Sequence, residues 1–204
     1  MDLDKNPLAD RARAHLRESA AVKQQAGDRC LAAILEAAEL ITHTFRSGGK
    51  LLLCGNGGSA ADCQHMATEF VSRLTKEFER PGLPAIALTT DTSFLTAFGN
   101  DCGFDGIFER QIQALGVAGD SLVAISTSGN SPNVIRAVKA ADALQLHTIA
   151  LTGDAGKLAD LAKVSIAVPS SSTHHIQETH LAIEHIICDL VERNLFGANG
   201  SGRS

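Results

Sequence analysis

Leu51-Leu52-Leu53-Cys54-Gly55-Asn56-Gly57-Gly58-Ser59 and Leu122-Val123-Ala124-Ile125-Ser126-Thr127-Ser128-Gly129-Asn130-Ser131 decide how this chain folds. In each, a short apolar run passes directly into a turn rich in glycine or serine, and the turn opens a helical pattern. Leu122–Ile125 and Thr148–Leu151 are apolar nearly throughout, as expected of strands covered on both faces of a parallel sheet. In such a sheet the loops at the carboxyl ends of the strands gather on one edge, where backbone N–H groups and hydroxyls at helix N-termini hold anions. Gly55-Asn56-Gly57-Gly58-Ser59-Ala60 lacks the third glycine of a dinucleotide turn, and no Gly-Lys-Ser/Thr closes a P-loop. The phosphate of a small metabolite such as a phosphorylated sugar fits better. Gly, Asn and Ser also serve ordinary turns, but two loops of one kind, each after a buried-strand pattern, favour ligand binding.

Outward from these loops, the stretch from Asp10 to about Phe45 runs without proline. Leu16, Ala20, Leu31, Ile34, Leu35, Ala38, Leu40 and Ile41 recur at helical spacing, which predicts one long helix or two broken near Gly27. The remaining pattern alternates: strand 51–54, helix 59–75, strand 84–89, helix 105–115, strand 121–126, helix 131–143, strand 147–151, short helix 156–162, strand 164–168 and closing helix 174–195. Alternation of this kind predicts an α/β fold, a flavodoxin-like five-stranded parallel sheet with helices on both faces and a long N-terminal helical segment. Residues 1–196 are expected to form one domain, and the Gly- and Ser-rich tail 197–204 to be disordered.

With 204 residues and 44% hydrophobic content, the chain can bury one sizeable core. A net charge of −5 without a basic cluster, and the lack of Trp and Tyr, leave direct nucleic-acid binding without a footprint. No apolar stretch approaches a membrane span, and Met1-Asp2-Leu3-Asp4-Lys5-Asn6-Pro7 has neither the basic start nor the apolar core of a signal peptide, so a cytoplasmic location is expected. Cys30, Cys54, Cys63, Cys102 and Cys188 are scattered without a Cys-x-x-Cys pair, and most read as buried free thiols.

His65 and Glu69 are four apart on the helix after the first loop and so share a face. That pairing suits a metal site, an acid/base cluster or a solvated polar pair. The last helix carries Gln177, Glu178, His180, Glu184 and His185 within an apolar pattern. Gln177, His180 and Glu184 fall on one stripe, so helix geometry alone nominates His180 before His185, and either histidine also suits a core position with a satisfied ring. Asn100-Asp101, after Ala97-Phe98-Gly99, reads as a loop that suits sugar hydroxyls or a plain turn, and Asp91 reads as a helix cap.

With these residues assembled, the chain resembles the sugar-isomerase (SIS) domain family from about residue 8 to residue 196. The matching segments are Gly55-Asn56-Gly57-Gly58-Ser59, His65-x-x-x-Glu69, Arg80-Pro81-Gly82-Leu83-Pro84-Ala85-Ile86-Ala87, Gly99-Asn100-Asp101, Ser126-Thr127-Ser128-Gly129-Asn130-Ser131, Leu151-Thr152-Gly153 and Ile176-Gln177-Glu178-x-His180. The resemblance implies substrate contacts from Asn56, Gly57, Gly58, Ser59, Glu69, Asn100, Asp101 and Gln177, with the phosphate held by Ser126, Thr127, Ser128 and Ser131. It implies Glu69 and His185 as the acid/base pair, and one zinc ion per site on His65, Glu69, Gln177 and His185. Two positions depart from the family pattern: His175 stands where an arginine is usual, and His174 where some members carry an aspartate that contacts sugar.

The activity implied is aldose/ketose isomerisation of D-sedoheptulose 7-phosphate to D-glycero-D-manno-heptose 7-phosphate through an enediol, toward the heptose of bacterial surface polysaccharide, by a homo-oligomer expected to be a tetramer. A sister branch that associates with the bacterial replication initiator keeps the loops but replaces the residues corresponding to Glu69 and His185. This chain has both. Gln177 and His185 lie eight residues apart, about 12 Å along a helix and about 80° round it. The expectation is therefore that one of them reaches the zinc from a neighbouring copy, unless a long side chain and a bend reconcile the two.

Overall fold

Five parallel strands, in the order β2-β1-β3-β4-β5, form the sheet of the computed structural model, which describes residues 6–77 and 79–197. They are β1 (Leu51–Gly55), β2 (Ala85–Ala87), β3 (Ser121–Ser126), β4 (His147–Gly153) and β5 (Val164–Val168). In register, Leu52 lies beside Leu122 and Val123 beside Ile149. Alternating side chains divide the core into two layers. Leu51, Leu53, Val123 and Ile125 pack with Ile34, Ile41, Met66, Phe70, Ile183 and Ile187 on one face. Leu52, Cys54, Leu122 and Ala124 pack with Ile107, Phe108, Ile112, Val134 and Val138 on the other.

The first face is covered by α2 (Leu31–Arg46), α3 (Gly58–Val71) and α7 (Thr173–Phe196), with α1 (Pro7–Arg29) laid against α7. The second carries α5 (Ile107–Leu115) and α6 (Pro132–Ala143), with α4 (Thr92–Cys102) joined to α5 by a 3-10 turn, Phe104–Gly106. From β1 the chain moves outward to β2, then returns to place β3 on the other side of β1. The strand order therefore reverses at the β1/β3 boundary, the position where open α/β sheets bind ligands beyond their carboxyl edge.

Four local expectations are corrected. The N-terminal helix runs through Gly27 and breaks at Cys30, whose backbone (φ −104°, ψ −6°) ends α1 and begins α2 while its thiol donates to Ala167 O at 3.3 Å. Residues 92–102, read as a loop around Asn100, are helical, with Asp91 Oδ1 capping Phe94 N at 2.9 Å. No residue of this helix is fully buried, and Phe94, Leu95 and Phe98 are half-buried against the second core layer. Residues 156–162 form turns instead of a short helix: Gly156 takes φ +110°, and Leu158 N donates to Gly129 O in the second loop at 2.9 Å. Helix α3 stops at Val71 because the carbonyls of Glu69 and Phe70 accept from the Arg80 guanidinium, both at 2.8 Å, before another turn can form.

Cys30, Cys54, Cys63 and Cys188 are buried thiols and Cys102 is exposed, all free of disulfides. Among the described residues no helix is long and apolar enough to cross a membrane. The readings of residues 1–5 and of the tail 198–204 lie outside the described residues.

Candidate active site

Backbone conformation shapes the first loop. Gly57 adopts φ +57° with ψ −119°, which L side chains rarely take, and a Cβ on Gly58 would collide with the Gln177 side-chain amide. Glycine at these positions turns β1 sharply into α3 and lets α7 approach the turn. Asn56 then meets Asn133, two residues into α6, through reciprocal amide hydrogen bonds: Asn56 Nδ2 to Asn133 Oδ1 at 2.9 Å and Asn133 Nδ2 to Asn56 Oδ1 at 2.8 Å. This pair, Asn133 buried and Asn56 half-buried, ties the two loops together across the β1/β3 boundary. Sequence reading missed Asn133, whose only signal is an amide in the first turn of an otherwise apolar helix.

In the second loop three hydroxyls converge. Ser126 Oγ lies 3.1 Å from Ser131 Oγ and 3.5 Å from Ser128 Oγ, and Ser128 Oγ accepts from Asn130 N at 3.2 Å. Gly129 at φ +63° makes the bend, and Ser131 is the N-cap of α6 without using its hydroxyl as a cap. Hydroxyls and unpaired N–H groups at a helix N-terminus suit a phosphate dianion. Ser59 is buried in the first turn of α3, and Thr127 accepts from Gly153 N through its carbonyl at 3.2 Å.

Helices α3 and α7 lie side by side, and their facing residues form the titratable centre. His65 Nε2 and His185 Nε2 are 2.7 Å apart, and Glu69 Oε1 is 3.7 Å from His65 Nε2. One ligating atom from each of the three lies within 4.8 Å of the others, all in one chain. Gln177 donates its amide to Asp62 Oδ2 at 3.2 Å, beside Gly58. Of the four residues expected to hold zinc, His65, Glu69 and His185 come together here, while Gln177 bonds Asp62 earlier on α3. His185 reaches His65 and Glu69 from its own chain, without a neighbouring copy. Two imidazole nitrogens and a carboxylate are a donor set that zinc accepts while keeping an open position.

His180, which helix geometry favoured, is a core residue. It is fully buried and donates from Nε2 to Thr152 O at 3.1 Å, and burial pulls its pKa down to about 4. Glu184 is also fully buried, and burial, with the charge of Asp62 adding, lifts its carboxyl to about 8. Asn100 and Asp101 lie exposed at the end of α4, hydrogen-bonded to each other at 2.8 Å (Asn100 Nδ2 to Asp101 Oδ1). Among the described residues no hydrogen bond brings them to either loop. A groove of about 420 Å³ between α3 and β2, lined by Gln64, Ala67, Val71 and Ile86 among others, contains none of the sequence-derived site residues.

The profile of the SIS domain family matches residues 14–153. A phosphoheptose isomerase from Trichlorobacter lovleyi is 50% identical over 190 residues, spanning 92% of this chain and 96% of its own. The structure of a phosphoheptose isomerase from Neisseria gonorrhoeae superposes with a TM-score of 0.85 at 50% identity, covering 91% of this chain and 98% of that one. That of a phosphoheptose isomerase from Francisella tularensis gives 0.88 at 38% identity, covering 92% and 100%.

Proposed function

The chain belongs to the SIS domain family, and from that premise we propose that it is a phosphoheptose isomerase, interconverting D-sedoheptulose 7-phosphate and D-glycero-D-manno-heptose 7-phosphate. The observation that carries this reading is the meeting of His65, Glu69 and His185 on the helix pair that starts at the first loop. A SIS protein that only binds, as in the sister branch that associates with the replication initiator, has no use for such a cluster. Incubating the purified chain with sedoheptulose 7-phosphate and following aldose formation tests the assignment directly.

In the forward direction Glu69 removes a proton from C1 of the ketose and returns it to C2 of the enediol. His185 relays the hydroxyl proton from O1 to O2, so that the proton count closes. Zinc held by His65, Glu69 and His185 would supply Lewis-acid polarisation of the substrate carbonyl. Gln177, held by Asp62 at the first loop, is assigned to substrate contact with Asn56, Gly57, Gly58 and Ser59. Asn100 and Asp101 are assigned to sugar hydroxyls. We place the protein in the cytoplasm, in the supply of heptose for surface polysaccharide.

The phosphate is assigned to Ser126, Thr127, Ser128 and Ser131. Replacing Ser128 and Ser131 together by alanine is expected to raise KM for the phosphorylated sugar at least about tenfold, each lost hydrogen bond to a charged group being worth about 1.5–3 kcal/mol. An unchanged KM would move the phosphate elsewhere.

Glu69 lies eleven residues beyond Gly58, about 16 Å along α3. We infer that the working site combines the serine loop of one copy with the Glu69 cluster of another, in a homo-oligomer that we take to be a tetramer. Mixing the Glu69→Gln protein with the Ser128→Ala/Ser131→Ala protein under subunit exchange is then expected to restore activity, because some hybrid sites receive both intact parts. If each chain supplies a whole site, the mixture will show only the sum of its components.

A further inference from the structure

We propose that His15, His175 and Glu178 form a second transition-metal site, separate from the His65, Glu69 and His185 cluster, that clips α1 to α7. His15 on α1 places Nε2 at 2.8 Å from Glu178 Oε1 and Nδ1 at 3.4 Å from His175 Nε2. One ligating atom from each of the three lies within 4.8 Å of the others. His175 and Glu178 are three residues apart on α7 and so share a face. His175 stands at one of the two positions where the chain departs from its family's pattern, and the residue found there is a metal-binding type.

Support behind the ligands is of the kind metal sites use. Ser19, only 5% exposed, donates from Oγ to Glu178 Oε2 at 2.5 Å and accepts from Lys23 Nζ at 2.5 Å. That bond fixes one carboxylate oxygen and turns Oε1 toward His15. Hydrogen bonds from Ser19 first and His15 second hold the Glu178 carboxyl below its ordinary pKa. The Lys23 ammonium, 4.0 Å from Glu178 Oε2, opposes a cation, but it sits on the far oxygen and is exposed enough to swing into water.

Two imidazoles and one carboxylate select zinc, nickel or cobalt over magnesium or calcium, with water in the remaining position. Bonds of about 2.0–2.2 Å in a tetrahedral arrangement place ligand atoms about 3.4 Å apart. The cluster therefore closes through small rotations of His15 and Glu178, both partly exposed. Such a clip has a structural purpose here, because α1 buries only Ser19 and Ala26 among its residues. With so little apolar area holding the helix, a ligand bond to α7 adds a large share of its docking energy.

Neither the residues nor the test involves turnover, so this site and the isomerase reading stand or fall separately. The full chain, stripped of metal, is titrated with zinc against a chromophoric chelator, and with cobalt while its visible absorption is recorded. The wild type is expected to take up one more equivalent than His15→Ala, and His185→Asn to keep the equivalent that His15→Ala/His185→Asn loses. Glu178→Gln should repeat the loss seen with His15→Ala, and circular dichroism of each variant shows whether it has folded. His15 is partly exposed on α1, so its truncation is the variant least able to unfold the chain. Equal uptake by wild type and His15→Ala, or no uptake by His185→Asn, would overturn the proposal and leave a plain hydrogen-bond chain.

Discussion

Glu69→Gln and His185→Asn are each expected to lower turnover of sedoheptulose 7-phosphate by about 10²–10⁴-fold, the usual contribution of a positioned acid or base. The fall should appear in kcat, with KM for the sugar phosphate near its wild-type value, because the serine loop at the end of β3 is untouched. Both residues also sit in the proposed zinc set, so loss of metal must be separated from loss of the proton-transferring group. His65→Asn makes that separation. It removes a ligand from the same cluster but no residue assigned to proton transfer, and its metal content, measured beside that of the other two variants, shows how much of their defect comes from the ion. Near-normal kcat in both Glu69→Gln and His185→Asn would remove the mechanism, whatever the metal content.

The parts of this site that are legible in the sequence are those fixed by local backbone chemistry. Gly57 and Gly58 after a buried apolar run, and Ser126 to Ser131 after another, announce strand, turn and helix N-terminus without knowledge of any partner. His65 and Glu69, one helical turn apart, are equally visible. What the sequence hides is which residues of distant elements meet. Nothing local distinguishes His185, which joins His65 from 120 positions away, from His180, which turns into the core and bonds Thr152. Gln177 and His185 occupy different turns of α7, and periodicity says as much, but only the packing of α7 along α3 shows that His185 takes the cluster and Gln177 the glycine turn. Helix α4 escapes notice for a related reason: its apolar side chains, Phe94, Leu95 and Phe98, are few and only half-buried, and Gly99-Asn100-Asp101 reads as a turn. The Asn56–Asn133 pair escapes because an amide facing an amide has no periodic signature at all.

Arg80→Ala or Glu192→Ala is expected to cost about 3–5 kcal/mol of folding stability, as breaking a buried ion pair on one side generally does. The two side chains are each 1% exposed, and Glu192 Oε1 accepts from Arg80 Nε at 2.8 Å and from Leu74 N at 3.1 Å. The other guanidinium nitrogens donate to the carbonyls of Glu69, Phe70 and Pro81 and again to Glu192 Oε1, so one arginine joins the end of α3, the loop before β2 and the last turns of α7. Truncating either partner leaves the other charged and dry, which is where the penalty arises. Replacing both together by Arg80→Met/Glu192→Leu removes the stranded charge, and the double variant is expected to regain a large part of the loss in urea unfolding. Its activity is not expected to return in the same measure. One carbonyl that Arg80 holds belongs to Glu69, so without the guanidinium the carboxylate proposed as the base sits on a fraying helix end and kcat should stay depressed while stability recovers. A cost below about 1 kcal/mol for Glu192→Ala, typical of an exposed pair, would mean that water reaches the clamp and that it does not position Glu69.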